Sequence, residues 1–402
     1  MRFAVVGLTV AASLLSGTPL LAQSSGAPAT VSRAPEPVVI GERMSFRSAL
    51  LGKEYPVYIY RPDNYDRGSA RYPVLYLLDG EAHFHHATGV VQFLAAQGRI
   101  PQMIVVGVGN TDRTRDLTPP TEDPRMSAAA GGADRFLRFL TDELVPHVDR
   151  TYRTLDYRVL AGHSFGGLFA LHALVTRPSA FGGYVAISPS VWWNGQALAK
   201  AMPAFLAVNR DLRASLYMTT GNEGGEMLTG AERLAEILER HAPKTLQWEF
   251  HHLPAESHGS IPHRSLYDGL ETMFADLRIE SDTLSRSVAD LERRYEELSL
   301  KYGYRIPVTE PQVNSFGYSL LRRGLHAEAI AVFRVNTERF PRSANTFDSL
   351  GDAYEAAGDL ESARKSYARA VELARQTGDP VLNTSAEKLS SVTSKLATPG
   401  VH

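Results

Sequence analysis

The segment Gly162-His163-Ser164-Phe165-Gly166 sets a serine between two glycines. Before it, Tyr157, Val159, Leu160 and Ala161 form a short apolar stretch with β-leaning residues. After it, Leu168, Leu171, Leu174 and Val175 recur at helical spacing until Pro178. Ser164 therefore falls on a strand-to-helix corner. Such a corner lifts a hydroxyl clear of a sheet, and the flanking glycines leave room for a tight turn and for an approaching base. A serine hydroxyl is a poor nucleophile until a base takes its proton, so the pattern has meaning only with partners elsewhere in the chain.

In the chain order that goes with this corner, an acid and then a histidine follow the serine. His258 lies in Pro254-Ala255-Glu256-Ser257-His258-Gly259, just beyond the last strand-like run, and is the expected base. His263 is the runner-up, and His251 and His252 fall inside the strand. The acid should follow the run Ser215–Gly221. Glu223 stands nearest its end and is preferred, with Glu226 as the alternative, because an acid at Glu226 also suits the start of the next helix. The backbone amide of Phe165 would point into the site as one oxyanion donor. Glu81, in a loop after the strand that ends at Asp79-Gly80, would give the second. Asp79 reads as a turn or network residue. His83, His85 and His86 could in principle bind a metal, but nothing else marks a metal site and serine hydrolysis needs no cofactor, so none is expected.

These groups need a scaffold that brings distant loops together. Between about residues 38 and 278, short apolar runs alternate with helical patterns: strands near 54–62, 72–80, 103–110, 157–164, 181–190, 215–221 and 246–253, and helices near 133–152, 166–176 and 227–241. Tyr72–Leu78 is almost wholly apolar, as a strand buried on both faces must be. Alternation of this kind predicts an α/β fold with a mostly parallel sheet flanked by helices. Beyond residue 279 the strands stop. Residues 279–310 read as a linker with a charged helix at 282–303. In residues 311–398, Gly317/Gly351, Gly324/Gly358, Ala329/Ala363 and Phe333/Tyr367 repeat at a 34-residue period. That period is the tetratricopeptide signature, so a small all-α domain is expected there, closed by a last helix near 383–396.

The runs Tyr72–Gly80, Gly109–Pro119, Gly162–Gly167, Ile187–Asn194 and Ser257–Ser260 together resemble the esterase family of α/β-hydrolases that includes esterase D, feruloyl esterases, mycolyltransferases and ferric-siderophore esterases. Arg113–Pro119 with Ser188–Trp193 looks most like the siderophore-esterase branch. The resemblance covers about residues 38–278. It implies a carboxylic-ester hydrolase working through an acyl-enzyme, with Ser164, His258 and an acid near Glu223, and it supports Phe165 and Glu81 as oxyanion amides. The helical tail looks like one found behind hydrolase domains in exported bacterial proteins. One departure stands out. Trilactone siderophores are polyanionic and call for a basic site, yet the basic pair near a strand end, Arg113 and Arg115, has Asp112 and Asp116 beside it. Those arginines either bind substrate or pair with the acids and hold the loop. Trp192 and Trp193 either wall an acyl or aromatic pocket or pack under a helix.

The 402-residue chain contains no cysteine, which excludes disulfides, thiolate catalysis and cysteine-held zinc; its net charge of −2 gives no electrostatic case for nucleic acid. Residues 1–22 have the layout of a signal peptide cut near Ala22–Gln23, with a single membrane anchor as the other reading. Residues 23–37 read as a disordered leader, and no later stretch is long enough to span a bilayer. The expected product is an exported protein, periplasmic or secreted, acting on a small-molecule ester. Two rivals stand beside the hydrolase. One is an acyltransferase of the same fold. The other is an interaction protein whose repeat region binds a protein or peptide while the hydrolase is vestigial.

Overall fold

The computed structural model describes residues 37–397 apart from 64, 68 and 279–284. The expected signal peptide, almost all of the leader and the start of the predicted linker helix lie outside the described residues. Among the described residues, eight strands form one sheet: β1 (Glu42–Arg47), β2 (Glu54–Tyr60), β3 (Tyr72–Leu78), β4 (Ile104–Val108), β5 (Thr154–His163), β6 (Gly183–Ile187), β7 (Ala214–Gly221) and β8 (Leu246–Leu253). Their order is β1-β2-β4-β3-β5-β6-β7-β8. β2 runs antiparallel to both β1 and β4, and every other pairing is parallel.

Strand periodicity decides which residues meet which layer. Val74, Tyr76 and Leu78 of β3 join one apolar core, while Leu75 and Leu77 join the other. The second core is covered by helices α1 (Gly80–Ala96) and α8 (Ile261–Met273). The first is covered by a layer that includes α2 (Arg113–Leu117), α3 (Ala133–Arg138), α4 (Val145–Thr151), α5 (Phe165–Thr176), α6 (Trp193–Val208) and α7 (Gly225–His241). The helix expected over 133–152 is interrupted by a π-type turn at Phe139–Leu144. β1 and the helices α1, α2, α6 and α8 carry no counterpart in the sequence reading. The loop expected after β3 is instead the first turn of α1, so Glu81 is a helical residue.

Among the described residues, six further helices follow the sheet: α9 (Val288–Tyr302), α10 (Glu310–Arg322), α11 (His326–Arg339), α12 (Ala344–Ala356), α13 (Leu360–Thr377) and α14 (Leu382–Ala397). α9 docks on the hydrolase layer. Tyr302 stacks on Phe274 with ring centroids 5.6 Å apart, meets Tyr157 edge-on at 5.3 Å, and donates its hydroxyl to the Met273 carbonyl at 3.0 Å. Tyr157 lies toward the start of β5, so the tail attaches at the N-terminal ends of the strands, away from Ser164 at the C-terminal end of that strand.

The 34-residue spacing has a direct packing cause. A Cβ on Gly317 would collide with the Phe333 ring, and one on Gly351 would collide with the Tyr367 ring. In each helix pair, α10 with α11 and α12 with α13, glycine lets an aromatic ring lie against the partner backbone. Gly351→Ala should overpack this contact and destabilise the tail by about 1–3 kcal/mol. Gly89→Ala, on an exposed position of α1 with open space around it, should stabilise by about 0.5–1 kcal/mol. Urea unfolding followed by circular dichroism checks both signs.

Candidate active site

Ser164 has φ 61° and ψ −115° between β5 and α5. Side chains rarely occupy that region, and such backbone costs on the order of 1–3 kcal/mol. Three hydrogen bonds hold it: Ser164 N–H to the Ile187 carbonyl at 2.9 Å, Leu168 N–H to the Ser164 carbonyl at 2.9 Å, and Ser190 N–H to the same carbonyl at 3.2 Å. Of the flanking glycines, Gly162 is a steric requirement and Gly166 only relieves crowding. A Cβ on Gly162 would run into the Gly166 carbonyl, and one on Gly166 would approach Asp79 Oδ2 at 3.3 Å.

Ser164 lines an open cleft of 430 Å³ with Phe165, Ser190, Trp192, Asn222, Glu223, Met227 and His258. His258 sits in the turn between β8 and α8, with 43% of its side chain exposed, and its Nδ1 lies 2.8 Å from Oε2 of Glu223. The other carboxylate oxygen accepts from the Gly221 amide at 3.1 Å and from the Ser188 hydroxyl. Burial, with 6% of the side chain exposed, pushes the Glu223 carboxyl up. The bonds from Ser188, His258 and Gly221 outweigh this and hold it below the usual carboxylate range. Glu223 is thus an anionic acceptor fixed beside the imidazole. Glu226 is exposed in the first turn of α7 and His263 lies in the first turn of α8 against His86. The nearest partner of Ser164 Oγ is Ser190 Oγ at 3.5 Å, and no hydrogen bond joins Ser164 to His258.

Phe165 and Glu81 both occupy the first turn of a helix, α5 and α1, where backbone N–H groups have no intrahelical acceptor. The Glu81 side chain turns to Asn110, which also donates to Asp79 at 2.7 Å. Asp79, left-handed at φ 54°, accepts both Arg113 Nε at 2.6 Å and Nη2 at 2.9 Å; Arg113 Nη2 also reaches the His163 carbonyl at 3.1 Å. Arg115 faces Asp112 at 2.5 Å and Asp116 at 3.6 Å. Both arginines the sequence offered for substrate are therefore held by carboxylates and hold the loop. The two tryptophans separate. Trp192 lines the cleft and donates its indole N–H to Met227 Sδ at 2.9 Å, whereas Trp193 is 3% exposed and its N–H is taken by the Pro119 carbonyl at 3.0 Å. The polypeptide covers Trp193 because that bond ties it under the 119–121 loop, so it has no face to offer a ligand.

Sequence reasoning missed Ser188 and Ser190, although both lie in the Ile187–Trp193 run. Ser188 sits at φ 39°, an unusual backbone for serine that turns its hydroxyl to Glu223. It also missed the ring contacts among the histidines. His163 packs on His258 at 4.4 Å and on His83 at 5.9 Å, and His83 Nδ1 lies 3.1 Å from His86 Nε2. His85 is exposed. Among the described residues, no group of three or more His, Cys, Asp or Glu side chains is arranged to hold a metal ion.

A family model described as "Putative esterase" matches residues 48–260, just over half of the chain. Ferri-bacillibactin esterase BesA of Bacillus subtilis is 31% identical over 237 residues, which covers 52% of this chain and 81% of that protein. Among solved structures, an IroE-like serine hydrolase from Shewanella oneidensis superimposes with a TM-score of 0.65 at 29% identity, over 74% of this chain and 99% of that one. An uncharacterised protein from Capnocytophaga ochracea shares the fold over 88% of this chain and 99% of its own, with a TM-score of 0.60 at 18% identity. The chain belongs to the esterase family, and its fold is that of an α/β-hydrolase carrying a helical C-terminal region. Membership of that family makes it an ester hydrolase. Among the described residues, no helix is long and apolar enough to cross a membrane.

Burial, with the neighbouring imidazoles, lowers His163 and His86 to about 4 from an ordinary 6.5, and burial lowers His83 as well, helped by the Arg113 guanidinium. These rings resist protonation in the folded chain while the unfolded chain accepts protons from about pH 6.5 downward. Stability present above that pH is therefore lost as pH falls toward 4. The urea midpoint should drop across this window, and His86→Leu should flatten the slope. An unchanged slope would show that these rings do not set it.

Proposed function

We propose that this esterase works through an acyl-enzyme on Ser164. His258 takes the hydroxyl proton as Oγ bonds to the ester carbonyl carbon, giving a tetrahedral oxyanion. The amides of Phe165 and Glu81 stabilise that oxyanion, and helix N-termini suit it because their free N–H groups carry the positive end of the helix dipole. The carbon–oxygen bond to the alcohol then breaks, and His258 returns its proton to the departing alcohol. Water then enters from the open side, gives a proton to His258 and bonds to the acyl carbon; the bond from that carbon to Ser164 Oγ breaks, His258 returns the proton to Oγ, and the acid leaves.

The observation that carries this reading is the 2.8 Å contact of Glu223 with His258 Nδ1 at the mouth of the cleft that contains Ser164. The carboxylate fixes one tautomer, leaving Nε2 free to accept a proton, and stabilises the imidazolium that forms. Ser188 and the Gly221 amide hold the carboxylate, so the acid stays ionised while it does so. The tail is read as a pair of tetratricopeptide-like repeats attached at the far end of the strands, which leaves the cleft open to solvent.

A fluorophosphonate probe should label the wild-type chain and not Ser164→Ala. Ser164→Ala and His258→Ala should each lower kcat by at least about 10³-fold, and Glu223→Gln by roughly 10³–10⁴-fold with little change in KM. Ser188→Ala should act more mildly, in the same direction, by loosening Glu223. Labelling that survives Ser164→Ala, or no labelling of a folded wild-type chain, would overturn the proposal.

A further inference from the structure

The charges around Ser164 are uneven. Asp79 holds Arg113, Asp112 and Asp116 hold Arg115, Glu223 holds His258 and Glu81 accepts from Asn110, so these five carboxylates outnumber the two guanidinium groups paired among them. Of the residues lining the cleft, Glu223 carries the one fixed charge, and no lysine or arginine side chain is among them. An anionic substrate entering here would meet a net negative field and find no fork to replace its lost water.

One wall is apolar and aromatic. Phe165 lies 6.2 Å from Trp192 and 5.2 Å, edge-on, from the buried Trp193. Trp192 is fixed by its bond to Met227. Arg113 covers the Phe165 ring at 5.7 Å from one side. A planar ring beside Ser164 would gain offset or edge contacts with Trp192 and Phe165 and a sulfur contact with Met227. Ser190 and Asn222 offer neutral hydrogen-bonding groups at the same cleft.

We propose that this cleft selects esters whose acyl group is uncharged and aromatic, and discriminates against polyanionic esters such as an iron(III)-loaded catecholate lactone. The proposal rests on Ser164 being the nucleophile. It separates this chain from a relative named for a ferric complex, since several catecholates bound to iron(III) carry net negative charge.

The test holds the leaving group constant as 4-nitrophenol and uses the full chain. The 4-carbamoylbenzoyl and 4-carboxybenzoyl esters match in size and differ in charge, and benzoyl and acetyl esters differ in the ring. The carbamoyl ester should exceed the carboxylate in kcat/KM by at least about tenfold at low salt, and the ratio should shrink as salt screens the field. Met227→Arg, which puts a cation in the cleft wall, should move that ratio toward the carboxylate. Trp192→Ala should lower the benzoyl-to-acetyl ratio. A carboxylate ester turned over as fast as its amide, or a ratio unmoved by Met227→Arg in a folded variant, overturns the proposal. Fluorophosphonate labelling of Ser164 reports on the nucleophile separately. If Ser164 labels and no uncharged aryl ester is turned over, the substrate class is wrong and the nucleophile stands; if Ser164 does not label, the reading beneath it fails.

Discussion

The backbone at Ser164 is the constraint on which the rest depends. A residue at φ 61° and ψ −115° does not hold itself there. It persists because β6 supplies the Ile187 carbonyl to the Ser164 amide, the Leu168 amide of α5 and the Ser190 amide both donate to the Ser164 carbonyl, and a glycine at 162 leaves space where a side chain would collide. The parallel sheet makes these partners available, since β5 and β6 end side by side. The same alignment brings the turn after β7, with Glu223, next to the turn after β8, with His258. Four chain segments far apart in sequence therefore meet at one end of the sheet because their strands end there.

The opposite end of the sheet carries a different task. Tyr157, Phe274, Tyr302 and Tyr304 form an aromatic joint between the strand starts and α9. Arg294 adds hydrogen bonds to the carbonyls of Asp276 and Arg278, and Lys301 pairs with Asp276. The tail is thus fastened by a buried contact and a polar rim, at a distance from the cleft. Its own order comes from the repeated glycine-against-ring contact and from a polar network in which Lys388 meets Asp348 at 2.7 Å and Asp352 at 2.8 Å.

Much of this was legible in the residues, and the reasons differ by element. β3 announced itself because both its faces are covered, so every position is apolar. The corner at Ser164 was legible because only glycine fits at position 162 and the turn is tight. β1 was not, because it lies at the sheet edge with exposed and half-buried positions and no apolar run. α6 was hidden by left-handed residues Asn194, Gly195 and Gln196 and by Pro203, none of which reads as helix. For Glu223 against Glu226, local sequence could only rank two acids in one glycine-rich turn. Their difference is that Ser188, on another loop, reaches one of them. Trp192 and Trp193 are neighbours with opposite surroundings, and adjacent residues of one type cannot reveal which of them a distant loop covers.

The central claim is that an ester's acyl group passes through a covalent bond to Ser164. Acid-quenched mass spectrometry of the wild-type chain, taken within the first turnover on a slowly deacylating aryl ester, tests it most directly. The account predicts one acyl mass per chain, localised to the peptide that contains Ser164. Ester consumed at the same rate with that peptide unmodified, or with the acyl mass on another residue, would contradict it.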